Sequence, residues 1–183
     1  MPTWAWILIA AGGLLVLAAL AYGTFGMRRR KDLQETFGPE YDRAVSEAPT
    51  RREAESELLD RRKRHDELDV RPLSPAARDG YAREWEKTQA RFVDDPQTAI
   101  HDADDLIQRV MRERGYPVED FEQRAADLSV EHADVVEHYR AGHSIARRNV
   151  HGDADTEELR QALRHYRALF EELLESEPAE TGR

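Results

Sequence analysis

The strongest constraint in this 183-residue chain is a run of 22 residues, Trp4 to Phe25, that carries no charge and is followed at once by Arg28, Arg29, Arg30 and Lys31. As a helix the run would be about 33 Å long, enough to cross the roughly 30 Å hydrocarbon core of a bilayer. Its nine Leu, Ile, Val and Phe side chains favour insertion by about 3 to 5 kcal/mol in sum. The expectation is a single transmembrane helix, with Trp4 and Trp6 at one interface, Tyr22 and Phe25 at the other, and the basic cluster among the lipid head groups.

A cleaved secretory signal is the competing reading, because Ala19-Leu20-Ala21 resembles a leader-peptidase site. Met1-Pro2-Thr3 holds no Lys or Arg, however, whereas a signal peptide opens with a basic stretch. All the nearby positive charge follows the run. The positive-inside rule then keeps that cluster in the cytoplasm, so the expected arrangement is a bacterial plasma membrane protein with its N-terminus outside and the rest of the chain cytoplasmic. Secretion is the alternative. Ala19 and Gly23 form one small-xxx-small pair, which would permit a weak homodimer through the span.

Composition bounds the partners. All 37 acidic residues lie beyond Lys31, against 23 of the 27 basic ones, which leaves that part of the chain with a net charge of −14. Phosphate backbones require concentrated Lys and Arg, and here the basic residues are interleaved with Asp and Glu, so nucleic acid is not an expected partner. An anionic leaflet should repel this portion while attracting the basic cluster, so it is expected to stand off from the membrane on a tether. The absence of cysteine excludes disulfides, thiolate metal sites and cysteine nucleophiles.

The order of elements follows from caps and periodicity. Leu33, Phe37, Tyr41 and Val45 recur every four residues, interrupted by Gly38-Pro39, which predicts a short helix, a break, and a second helix from Pro39 to about Ala48. Thr50 and Glu53 have capping-box spacing and open a charged helix to about Asp69, whose apolar positions Ala54, Leu58 and Leu68 are sparse. So narrow a stripe fits an exposed stalk or one strand of a helical hairpin. Its Arg61-Arg62-Lys63-Arg64 run reads as a solvated face.

From Arg71 onward the apolar residues fall into regular helical periods. Ser74-Pro75 starts a helix bearing Tyr81, Trp85 and Phe92, and Asp95-Pro96 starts one bearing Ile100, Ala103, Ile107 and Val110, stopped by Gly115. A helix from about Val118 presents Phe121, Ala125 and Leu128. Ser129 is then placed to cap another, with Val135, Val136, Tyr139, Ala146 and Val150 buried. Asp155 and Glu158 cap the last, which carries Leu159, Leu163, Tyr166, Phe170 and Leu173. Nothing alternates with period two. The predicted class is all-α: an anchor with basic flank (1–31), a charged juxtamembrane helical arm (32–70), an antiparallel helical bundle (71–176) and a disordered tail (177–183).

FGPEYDRAV at Phe37 to Val45, RPLSPAAR at Arg71 to Arg78, ARFVDDP at Ala90 to Pro96, RGYPVEDFEQRAADLS at Arg114 to Ser129 and DTEELRQALRHYRALFEELL at Asp155 to Leu174 together resemble a group of uncharacterised helical proteins common in high-GC actinobacteria, usually labelled hypothetical or secreted. The resemblance covers nearly everything after the apolar run. It implies no activity, cofactor or catalytic residue.

Chemistry-bearing motifs are sparse. None of the seven histidines has Glu three positions before it, the spacing of di-iron and di-manganese bundles, and HExxH is missing as well. Asp134 with His138 and His101 with Asp105 each share a helical face, but two ligands do not make a zinc site. His143 reads as a packed imidazole. There is no GxSxG, Walker loop or GxGxxG. No catalytic, metal or cofactor residue is assigned. The expected function is protein binding by a membrane-tethered acidic module whose partner is itself basic and membrane-associated, with Tyr116 and Trp85 as candidate exposed anchors. An exported envelope protein is the alternative, and a metalloprotein or hydrolase with a scattered site the more remote one.

Overall fold

The computed structural model describes residues 27–175. The apolar run, with Trp4, Trp6, Tyr22 and Phe25, and the tail from 177 lie outside the described residues. Among the described residues every regular element is a helix, and none is long and apolar enough to cross a membrane.

Helix α1 covers residues 27–37. Gly38 then turns the chain into α2 (Pro39–Glu47), and Thr50 Oγ accepts from the Glu53 amide at the start of α3 (Arg51–Asp66). The Ser74 and Asp95 side chains accept from Ala77 and Thr98 to begin α4 (Pro75–Asp94) and α5 (Pro96–Arg114), each with proline in the first turn, where its missing N–H costs nothing. Asp120 caps α6 (Phe121–Glu131), and α7 (Ala133–Val150) follows directly through His132. Asp155 and Glu158 exchange two hydrogen bonds at the head of α8 (Thr156–Glu175).

Two apolar cores result. In the larger, α8 packs along α7 and α5, and α5 along α4. Its interior runs from Leu73 to Leu174, with Ile107, Met111, Leu128, Tyr139 and Tyr166 shielded from solvent and Trp85 stacked on Phe170 at 4.7 Å. Gly142 permits the close approach of α7 to α8, since a Cβ there would meet the Tyr166 ring at 3.1 Å. Gly115 ends α5 at φ 98°, in the left-handed region, and a Cβ would strike the Asp69 carbonyl oxygen at 2.3 Å. The smaller core joins Leu33 and Phe37 of α1, Tyr41 and Ala44 of α2, and Ala54 and Leu58 of α3, with Val130 of α6 packed against it. Helix α3 is therefore half of a hairpin with α2, lying on α6, and not an exposed stalk.

Several local expectations are corrected. Helix α3 stops at Asp66, short of Asp69, and α6 begins at Phe121, later than Val118. Ser129 caps nothing: it is buried inside α6, donating to the Ala126 carbonyl, because α6 continues to Glu131 and only then turns. Val150 is 79% exposed, as the final residue of α7, where the chain has left the core. Trp85 and Tyr116 are both interior. Tyr116 folds back under the Gly115 cap, its amide donating to Met111, its hydroxyl to Glu131.

Candidate functional site

A buried carboxylate lies where the two cores meet. Glu40, 1% exposed at the start of α2, is gripped by Arg140 of α7, with Nη2 at 3.2 Å, and by Arg61 of α3, with Nη1 at 3.1 Å. Burial pushes the Glu40 carboxyl up, but a hydrogen bond with Glu137 and the Arg140 and Arg61 guanidinium groups together outweigh it and hold the group below its usual range. Arg61 also takes Glu57 and reaches the Ser129 hydroxyl, so this member of the basic run faces inward. Neither Glu40 nor Arg61 announces this in the sequence, where both sit among many charges.

Beside this cluster an open groove of about 530 Å³ runs between α2, the start of α6 and the second half of α7. Arg43 enters from α2, and Arg140, Arg147 and Arg148 from α7, whereas Glu122 and Asp153 are the acidic groups lining it. Phe121 and His143 stack in its wall, with ring centroids 3.6 Å apart and planes 9° from parallel. His143 is thus packed, as its position on α7 suggests. Its Nδ1 faces Asp104 at 4.0 Å, and a second, smaller recess of about 110 Å³ opens beyond it, next to Ile100 and Asn149. Burial raises the Asp104 carboxyl, yet His143 and the hydrogen bonds from Tyr166 and Gln108 leave it below its usual range.

Other polar groups are built into the larger core. Arg114 is fully buried and donates to the Leu173 carbonyl; Arg124 donates to the Tyr139 hydroxyl and the Val118 carbonyl. His132 lies 3.0 Å from Glu172 and 3.8 Å from Glu131, which His65 approaches to 3.8 Å from α3. These contacts tie α3, α6 and α8 together.

The residues singled out from sequence are dispersed. Arg28, Arg29 and Lys31 are exposed on α1, Lys31 pairing with Glu35, while Arg30 is half-buried beside Tyr41. His101 pairs with Asp105 at 3.3 Å on an exposed face. His138 turns to His165, with Nδ1 atoms 2.9 Å apart. Among the described residues no three His, Asp or Glu side chains are grouped as metal ligands. The groove has no sequence motif; its arginines come from segments about 100 residues apart, and only the i, i+7, i+8 spacing of Arg140, Arg147 and Arg148 hints at one face. Comparison with protein-family models, with curated proteins and with solved structures finds no match.

Proposed function

We propose that this chain is a single-pass, membrane-tethered helical binding module. Residues 4–25 cross the bacterial plasma membrane, Arg28, Arg29 and Lys31 meet the head groups of the inner leaflet, and the helical domain lies in the cytoplasm. What supports the reading is the uncharged run of residues 4–25 followed at once by Arg28, Arg29, Arg30 and Lys31, and the burial of Leu33 and Phe37, both 0% exposed, in the smaller core then fixes how the run joins the domain. Leu33 lies eight positions after Phe25, about 12 Å at the helical rise. On this reading the domain is held close to the membrane surface by a short, packed connection in place of a free tether.

A domain of net charge −14 held there concentrates its contacts in two dimensions, which makes weak binding effective for a partner in the same membrane. A basic, membrane-associated protein is the complementary partner. With Tyr116 and Trp85 interior, recognition on the acidic face rests on charge, which sets association rate and orientation. The large apolar side chains exposed among the described residues, Met27, Val93 and Val150, are scattered along the chain.

A topology reporter fused after Glu175 tests the placement: cytoplasmic signal is expected, and a C-terminus outside the membrane would overturn it. Proximity labelling from the domain, followed by association measurements at rising salt, tests the partner class. The expected result is a basic membrane protein whose association slows as salt screens the charges.

A further inference from the structure

The lining of the groove beside Glu40 holds more basic than acidic side chains, the reverse of the domain that carries it. Four arginines line it against two carboxylates, although the chain beyond Lys31 carries 14 more acidic than basic residues. Arg43 is held by Glu47 and Glu137 and Arg148 by Glu158, counter-ions that do not line the groove, whereas Arg140 is shared between the buried Glu40 and Glu122, which does line it. Such pairing fixes the guanidinium groups without using all of their donors. Arg43 spends Nε and Nη1 on its glutamates and Arg148 spends Nη2, out of five N–H donors per guanidinium. Arg147 is exposed and makes no ion pair or hydrogen bond among the described residues.

Positions 147 and 148, in the last turn of α7, suit the helix dipole. The dipole accounts for their place on the helix but not for their convergence with Arg43 from α2. A planar fork with spare donors matches the tetrahedral oxygens of phosphate, and several forks around one recess make a stronger match than point charges would. The volume, about 530 Å³, lies within the roughly 300 to 1,000 Å³ usual for small-molecule sites. The flat Phe121–His143 pair offers an apolar wall to whatever the phosphate is attached to. Nucleic acid is a poor occupant, because the acidic surface around so short a groove repels an extended polyanion.

We infer that this groove binds a small phosphate-bearing anion, with Arg147 as the principal free donor and Arg43 and Arg148 as oriented partners. Arg140 acts from the floor, its position set by Glu40.

The test uses the full chain in maltoside micelles, titrated calorimetrically with pyrophosphate at constant ionic strength, with chloride as the reference anion. Saturable binding is expected, weakened at least about tenfold by Arg147→Ala, which removes charge-assisted hydrogen bonds. Arg164→Ala, at an exposed arginine of α8 outside the groove, should leave affinity unchanged. Both substitutions are at the surface, so equal melting temperatures will show that folding is intact. Repeating the titration in nanodiscs distinguishes the source of the phosphate. Unchanged affinity in discs with and without phosphatidylglycerol identifies a free phosphate compound, whereas loss of pyrophosphate binding only in the anionic discs identifies a lipid head group as the occupant. No saturable binding below about 10 mM in micelles, or equal weakening by Arg147→Ala and Arg164→Ala, would overturn the inference.

Discussion

Replacing Arg140 by methionine should expose how the two cores are joined. Glu40 is 1% exposed and has two cationic partners, Arg140 at 3.2 Å and Arg61 at 3.1 Å. Removing Arg140 leaves a buried carboxylate with one guanidinium, and breaking a buried pair costs about 3 to 5 kcal/mol. Because Arg61 stays, the lower end, about 3 kcal/mol, is expected. Glu40→Gln is milder, about 1 kcal/mol, since it removes the charge that most resists burial. Arg140 then keeps Glu122 and Glu137, and Arg61 keeps Glu57. Adding Glu40→Gln to Arg140→Met should therefore recover about 1 to 2 kcal/mol, because the penalty is chiefly the orphaned charge. Urea unfolding of residues 27–183 followed by circular dichroism measures all three. A double variant no more stable than Arg140→Met, or a single Glu40→Gln costlier than Arg140→Met, would refute this assignment of the penalty to Glu40.

Residues 71–175 should unfold cooperatively by themselves, because the fully buried members of the larger core lie between Leu73 and Leu174; a broad, non-cooperative melt of that fragment would show that the arm completes the core. Gly115→Ala should cost more than about 2 kcal/mol in the same urea assay, combining left-handed strain with the backbone clash at Asp69. Acid should destabilise the fold in two stages. Burial, reinforced by Arg114, depresses His132 below its ordinary 6.5, so the unfolded chain binds the extra proton first and stability falls as pH drops below about 6.5. Glu40 and Asp104, also depressed, add losses as pH falls below their ordinary values of 4.5 and 3.8. His132→Gln should shrink the upper stage, leaving the share of His165, which burial and His138 also depress, and leave the lower stage unchanged in a pH series of urea melts.

The parts of this fold that sequence reveals are the local ones. Thr50, Ser74, Asp95 and Gly115 act at the helix ends their types prefer, because a cap is decided within four residues. Tyr116 was legible too: an apolar residue directly after a left-handed glycine cap packs back on its helix, and that signal outweighs the expectation of an exposed turn. Ser129 has the type of a cap but the position of a buried residue, and only the length of α6 decides between them. Glu40, Arg61 and Arg140 are beyond sequence reasoning, since nothing local says which of many charges will meet across 100 residues. The groove shares that fate: its sign depends on which arginines converge, and the overall composition points the other way.

The central claim, that the segment following the apolar run is packed into the domain, is tested most directly by amide hydrogen exchange of the full chain in nanodiscs. Residues 33–41 should exchange as slowly as the α3 amides around Leu58, because Leu33, Phe37 and Tyr41 share one core with Leu58 and open with it. Exchange of 33–41 at the rate of an unprotected peptide while α3 stays protected would mean that α1 is a free tether, contradicting the account.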